Sequence, residues 1–360
     1  MFGIWRTLLA LEVVAFHLLF VPFIGAYAVF SFFVLSGFLM TAIMQRTYGY
    51  SAGGFARYLG NRALRLYPSY WFALAISVAI VTVLGDAQTL LYHPVVAMPA
   101  STRQWLENLS MLFLDLVPRD AWPRLVPLAW ALTVEVIFYI LIGIGISRTK
   151  RTTLIWCIAS IAYVVVASGW QHPRDAANEL IPMYLYSAVP AGSLPFSCGA
   201  LAWHYRADVQ GVLARLHLGD ARILIAARWA VYFGIAITQS LSGWTGLVMA
   251  GNWFNIGLSA LIVCALYHVR PADRLAQIDK AIGDFSYPIY LLHLQMGIVA
   301  AALLFGGPAI GRSWRSAAVV GLALMLTIVV GAICARVIDP AVERLRARIK
   351  PRVGLSTRTL

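Results

Sequence analysis

Apolar windows of roughly 18–22 residues recur along almost the whole chain, each closed by a short polar or basic stretch. A helix of about 20 residues is what a bilayer core of about 30 Å requires. Ten windows meet that length, near residues 4–21, 26–44, 66–85, 125–146, 153–169, 183–204, 222–240, 247–268, 282–305 and 316–338. The pattern predicts an all-α fold, a polytopic transmembrane helical bundle of about ten spans with both termini cytoplasmic. Residues 1–340 read as one membrane domain and 341–360 as a basic cytoplasmic tail. The longest interval between spans, about 86–124, holds Pro94, Pro99, Pro118 and Pro123 and predicts a partly ordered external loop. Ala26-Tyr27-Ala28 resembles a signal-peptide cleavage site, but Glu12 and His17 interrupt the apolar run before it and another span follows. The first window therefore reads as a span.

Composition agrees. The chain is 61% hydrophobic and only 12% charged, with a mean hydropathy of +0.77, about half the charge of an average soluble domain. A net charge of +13 would suit a nucleic-acid partner, but its distribution along the chain argues for none. With the N-terminus inside, 22 of the 28 Lys and Arg fall on the inner side, Arg228, Lys350, Arg352 and Arg358 among them. Arg103, Arg119, Arg124, Arg174, Arg312 and Arg315 remain outside. Such asymmetry is topology, with attraction to anionic membrane lipid as a second effect. Cys157, Cys198, Cys264 and Cys334 fall singly in spans and read as small buried apolar groups, not as disulfides or a metal site. No P-loop is present, which argues against an ATP-driven pump.

Ionisable groups inside spans are costly and face a bundle interior or a wet cavity. Arg6 and His17 are eleven residues apart, a rotation of about 1100° that returns to within about 20° of the same face. They line one side of the first helix about 16.5 Å apart along its axis. Glu12 lies about 140° around from His17, so its partner is expected to be an Arg or His on another helix. In FFVLSGFLMT, Ser36-Gly37 permits close helix approach; Ser36 has no base nearby in sequence and reads as a packing residue. Arg62 and Arg65 share a helical face at a membrane boundary, either as anchors or as a guanidinium clamp for phosphate. Glu135 and Tyr139 lie i, i+4 on one face deep in the fourth window, where Glu135 needs an Arg or His partner. Ser286, Tyr290 and His293 follow i, i+4, i+7 and present hydroxyl, phenol and imidazole on one side, after a Pro288 read as near the helix start.

Taken together, these stretches resemble the acyltransferase-3 family of integral membrane O-acyltransferases, from Arg6 to the tenth span. Arg6 and His17 match its Arg followed eleven residues later by His, and residues 32–39 its FFVLSGFL signature. Arg62, Arg65, Tyr67 and Pro68 match its R-x-x-R with an aromatic-Pro segment. Trp130, Leu132, Glu135, Phe138 and Tyr139 match W-x-L-x-x-E-x-x-F-Y, and Ser286, Tyr287, Tyr290, Leu291 and His293 match S-Y-x-x-Y-L-x-H.

The resemblance implies a multi-pass protein of a cell inner membrane that transfers an acetyl group from cytoplasmic acetyl-CoA, without a metal. The acceptor it implies is a sugar hydroxyl of an exopolysaccharide, a lipopolysaccharide or a lipid-linked glycan precursor. Arg6, Arg62 and Arg65 would hold the CoA phosphates. His17 would deprotonate the hydroxyl or briefly accept the acyl group. Glu135, with Tyr139 beside it, would pair with an arginine or orient a histidine, and Tyr290 or His293 would help place the acceptor. Some members carry a fused extracytoplasmic SGNH esterase-like domain; none is found in these residues, so any such partner is expected to be separate. Glu12 stands where an apolar residue is commoner. Two other readings stay open at this stage: a transporter of acyl groups or lipid-linked sugars, and acylation of a small molecule such as a macrolide or peptidoglycan fragment.

Overall fold

The computed structural model describes residues 1–172, 175, 180–309, 313–337 and 339–349. Arg174, Arg312, Lys350, Arg352 and Arg358 lie outside the described residues, as does the rest of the tail from 350 on. The order of helices is α1 (Phe2–Leu18), α2 (Ile24–Ile43), α3 (Ala52–Leu84), α4 (Asp86–Tyr92), α5 (Thr102–Ser110), α6 (Ala129–Ile144) and α7 (Lys150–Ala167). Then follow α8 (Met183–Tyr186), α9 (Val189–His204), α10 (Arg206–Arg215), α11 (Ala221–Ser242), α12 (Gly246–His268), α13 (Asp273–Phe305), α14 (Trp314–Val337) and α15 (Asp339–Ile349). A π-helical turn, Met44–Tyr48, extends α2.

Each of the ten apolar windows holds a helix, but among the described residues seven helices are long and apolar enough to cross a membrane: α2 with its extension, α3, α7, α11, α12, α13 and α14. The helices α1, α6 and α9 have 17, 16 and 16 residues. The window 183–204 is broken: Ser187 and Ala188 separate α8 from α9, and Pro190 then enters α9 in its first turn, where its missing N–H costs nothing. The windows over α3 and α13 are too short, because each is a single helix of 33 residues, about 50 Å long. Hydropathy sees only the apolar half of such a helix. Arg62 and Arg65 consequently sit inside α3, and Pro288 lies in the middle of α13 and not near its start. The interval from about 86 to 124 folds as α4, α5 and a short turn at Pro118–Asp120.

Apolar side chains face outward along whole helix sides, including Ile155, Ile158, Val165 and Val166 on α7 and Met325, Ile328, Val329 and Ile333 on α14. Sides of this kind suit hydrocarbon. Inside, α1 packs on α13 and α2, α2 on α9 and α12, α7 on α9, α14 on α13 and α15 on α3.

The α2–α9 crossing depends on reciprocal glycines: a Cβ at Gly37 would overlap the Phe196 carbonyl, and one at Gly199 would overlap that of Val34. Small residues admit backbone this close in membrane helices. Gly199→Leu is therefore expected to cost about 1–3 kcal/mol, as overpacking does. Gly257→Ala, whose added Cβ would meet nothing, should leave the protein at least as stable. Thermal unfolding of both variants in detergent makes the comparison, and equal midpoints would remove the close-approach argument.

Candidate active site

The N-terminus of α1 is seated on α13 by its first turn. Gly3 N and Ile4 N donate to the Asp279 carboxylate at 3.1 and 2.9 Å, an anion at a helix N-terminus. Thr7 Oγ1 donates to Ile282 O at 2.9 Å. A Cβ on Gly283 would meet Gly3 Cα at 2.5 Å, so the two helices touch backbone to backbone. One turn on, Arg6 faces a cavity of about 360 Å³.

The same cavity is lined by Arg62 and Arg65 from α3, Glu135 and Tyr139 from α6, and Arg346 from α15. The helical periodicity that put Arg62 and Arg65 on one face holds, and both now meet Arg6. Among the described residues, none of these three guanidinium groups forms a hydrogen bond or ion pair, and the Nε atoms of Arg6 and Arg62 are buried without a partner. Arg62 is only 8% exposed. Asp279 and Asp284, the carboxylates whose field reaches Arg6, form no ion pair with it. Arg6 is half-buried and Arg65 exposed at the mouth. A buried cation without counter-charge, as at Arg62, is expensive, and three guanidinium groups on one cavity repel. Guanidinium forks at this density are arranged for an anion with several oxygens.

Arg346 is a fourth cation that the sequence reading assigned to a tail. Its Nε donates to Asn61 Oδ1 at 2.9 Å, and it pairs with Glu343. The carboxylate of Glu135, for which a cationic partner was expected, instead accepts from two hydroxyls. Ser36 Oγ donates to its Oε1 at 2.7 Å, and Tyr139 donates to the same oxygen. Ser36 thus has a carboxylate beside it after all, brought from α6 by packing. Tyr290 and Ser286 also line this cavity, and Tyr290 packs edge-on against Phe32 at 5.8 Å between centroids.

His17 does not line the arginine cavity. It lines a second one, at the other end of α1. His293 lines neither and lies between them in sequence register, three residues after Tyr290. Its Nε2 is 3.2 Å from His17 Nδ1, so the face shared by Arg6 and His17 is the face turned to α13.

The hydrogen bonds fix the tautomers of neutral rings. His293 Nδ1 lies 2.9 Å from Ile289 O and 3.0 Å from Tyr290 O. Carbonyls only accept, so Nδ1 carries the proton and Nε2 a lone pair. His17 Nδ1 lies 3.0 Å from Val13 O and must likewise carry its proton, shared with His293 Nε2. The Nε2 of His17 is left with a lone pair and, among the described residues, no protein partner. That nitrogen is free to accept a hydrogen bond.

Glu12 and Arg228 account for each other. Arg228 Nη1 and Nη2 donate to the two Glu12 oxygens at 2.6 and 2.7 Å, and its Nε donates to Asn255 Oδ1 at 2.7 Å. Both side chains are almost wholly buried. Arg228 is therefore no inner-side anchor, as the charge count had it, but half of an ion pair between α1 and α11. Its position inside the window 222–240 was the available signal.

A family model described as an acyltransferase domain, Acyl_transf_3, matches residues 2–336. The chain is also similar to Acyltransferase MdmB of Streptomyces mycarofaciens, 23% identical over 358 residues that take in 93% of this chain and 85% of that protein. No solved structure matches the chain.

Proposed function

Because the chain belongs to the Acyl_transf_3 family of acyltransferases, we propose that it is a membrane O-acetyltransferase taking acetyl from acetyl-CoA. Its acceptor in this reading is a sugar hydroxyl of an envelope glycan or of that glycan's lipid-linked precursor, and the arginine cavity opens to the cytoplasm of a cell whose inner membrane holds the protein. The observation that carries the reading is the set of three guanidinium groups, Arg6, Arg62 and Arg65, that line one cavity and form no hydrogen bond or ion pair among the described residues. They fit the phosphates of CoA through charge-assisted bidentate contacts. The donor supplies an acetyl group activated as a thioester.

The remaining roles belong to side chains. Arg346 adds a fourth donor at the arginine end. Glu135, fixed by Ser36 and Tyr139, sets the hydroxyl array along the cavity wall toward Tyr290. His17 Nε2 takes the proton from the acceptor hydroxyl as general base, and His293 holds the ring in the tautomer that makes this possible.

Arg62→Ala/Arg65→Ala tests the reading. Each lost hydrogen bond to a charged group is worth about 1.5–3 kcal/mol, so the pair should weaken CoA binding by at least about a hundredfold, read by calorimetry on protein in nanodiscs. Arg103→Ala, on the exposed side of α5 and paired with Glu107, should bind as wild type. Unchanged CoA affinity in the double variant would overturn the assignment.

A further inference from the structure

The arginine cavity has two distinct ends. Tyr287 Oη donates to Leu66 O at 3.1 Å and Gln295 meets Ser77 at 3.2 Å, so α13 and α3 run side by side in the same sense. Gly3 at Asp279 and His17 at His293 show the same sense for α1 and α13. Tyr287, level with Leu66, precedes His293 by about 9 Å of helix, and Asn61 lies about 7.5 Å further back along α3. Arg346, bonded to Asn61, therefore stands at the end of the cavity remote from His17.

Arg346 differs from the other three guanidinium groups in being held. Its Nε donates to Asn61 Oδ1 at 2.9 Å, and its Nη1 pairs with Glu343. Asn61 is 2% exposed, and its Nδ2 donates to the Tyr48 hydroxyl, at the π-helical turn that extends α2. Both ends of the amide are engaged, so it faces one way only and fixes the plane of the guanidinium on the cavity wall. Arg346 Nη2 has no protein partner among the described residues. It is left for a ligand. Arg346 also lies beyond residue 336, where the family match ends.

We propose that Arg346, aimed by Asn61, binds the 3′-phosphate of the donor nucleotide, so that the protein selects CoA over dephospho-CoA. The inference rests on the CoA reading above and deepens it. With the thioester turned toward His17, the ribose end of the donor lies at the opposite end of the cavity, where Arg346 stands. CoA carries a diphosphate and also a 3′-phosphomonoester, which adds about 1.5–2 negative charges at pH 7. Arg6, Arg62 and Arg65 answer the diphosphate, and Arg346 is the one further basic residue on the cavity wall. The spacing agrees. Four bonds separate the 3′- and 5′-oxygens of a ribose, about 5 Å in an extended chain, and Asn61 and Arg65 are about 6 Å apart along α3. One nucleotide can thus reach both phosphate sites, its 3′-phosphate on the side away from the thioester.

Calorimetry on the full chain in nanodiscs, with CoA and dephospho-CoA as the two ligands, tests this. The wild type is expected to bind CoA at least about tenfold tighter, the worth of one charged hydrogen bond. Arg346→Gln should lose that factor for CoA and bind dephospho-CoA as the wild type does. Asn61→Leu should shrink the ratio of the two affinities; a merely structural role would weaken both ligands and leave the ratio alone. Arg62→Ala/Arg65→Ala should weaken both ligands alike, and Arg344→Gln, exposed on the same helix as Arg346, should weaken neither. A wild type that binds the two ligands equally would overturn this inference and leave the CoA reading standing. Equal loss of both ligands in Arg346→Gln would overturn it too, and an unchanged ratio in Asn61→Leu would end the positioning role of that amide. If neither ligand binds the wild type, the CoA reading falls, and this inference with it.

Discussion

His17→Ala is expected to abolish acyl transfer in practice, lowering its rate by about 10²–10⁴-fold, the contribution of a positioned general base, while CoA binds as before. The separation follows from geometry. The arginines line one cavity and His17 lines another, so removing the imidazole leaves the anion site untouched. His293 acts through His17 and is a positioning residue. His293→Gln keeps a carbonyl that accepts from His17 Nδ1, and should lose less than His293→Leu, which leaves that N–H only the Val13 carbonyl. Single-turnover rates with saturating acetyl-CoA, measured beside CoA affinity, read both effects. Wild-type transfer by His17→Ala would end its assignment as the base, and equal losses in the two His293 variants would end the tautomer argument.

The parts of this site legible in the sequence are those that lie within one helix. Helical periodicity alone puts Arg6 and His17 on one face and Arg62 beside Arg65. It also puts Glu135 beside Tyr139, and that pair is the hydrogen bond observed. What was not legible crosses between helices. Ser36 meets Glu135 across 99 positions of sequence, and Arg228 meets Glu12 across 216. No local pattern encodes those distances, since they follow from how α1, α2, α6 and α11 pack. Arg346 was hidden for a different reason. Its helix, α15, is polar and basic, so hydropathy and charge counting both assign it to solvent, whereas it packs on α3 and brings Arg346 to the arginine cavity, where its Nε donates to Asn61. The same bias shortened α3 and α13, because a window that scores apolar residues stops where the charged half of a continuous helix begins. In α3 that charged half carries Arg62 and Arg65, so hydropathy misses the part that lines the cavity, whereas Tyr290 and His293 of α13 fall inside its apolar window.

Glu12→Leu is expected to destabilise the protein by about 3–5 kcal/mol, the cost of leaving one member of a buried ion pair alone. Arg228 is 3% exposed and cannot reach water without moving α11. Its remaining contacts are Asn255 Oδ1 at 2.7 Å and the face of Trp5, with the guanidinium carbon 5.4 Å from the ring centroid, neither of which neutralises a cation. The network beyond it would loosen as well, because Asn255 Nδ2 donates to Tyr27 O at 3.0 Å and joins α12 to α2. Glu12→Leu/Arg228→Met removes both charges and keeps the volume, so it should recover most of the loss, as apolar replacement of buried ion pairs does. Thermal unfolding in detergent, with the double-mutant cycle, measures the coupling. Transfer by the double variant should remain near wild type, since Glu12 lines neither cavity. A stable double variant that no longer transfers would instead place Glu12 in the chemistry, and a single variant as stable as wild type would mean that the ion pair does not hold α1 to α11.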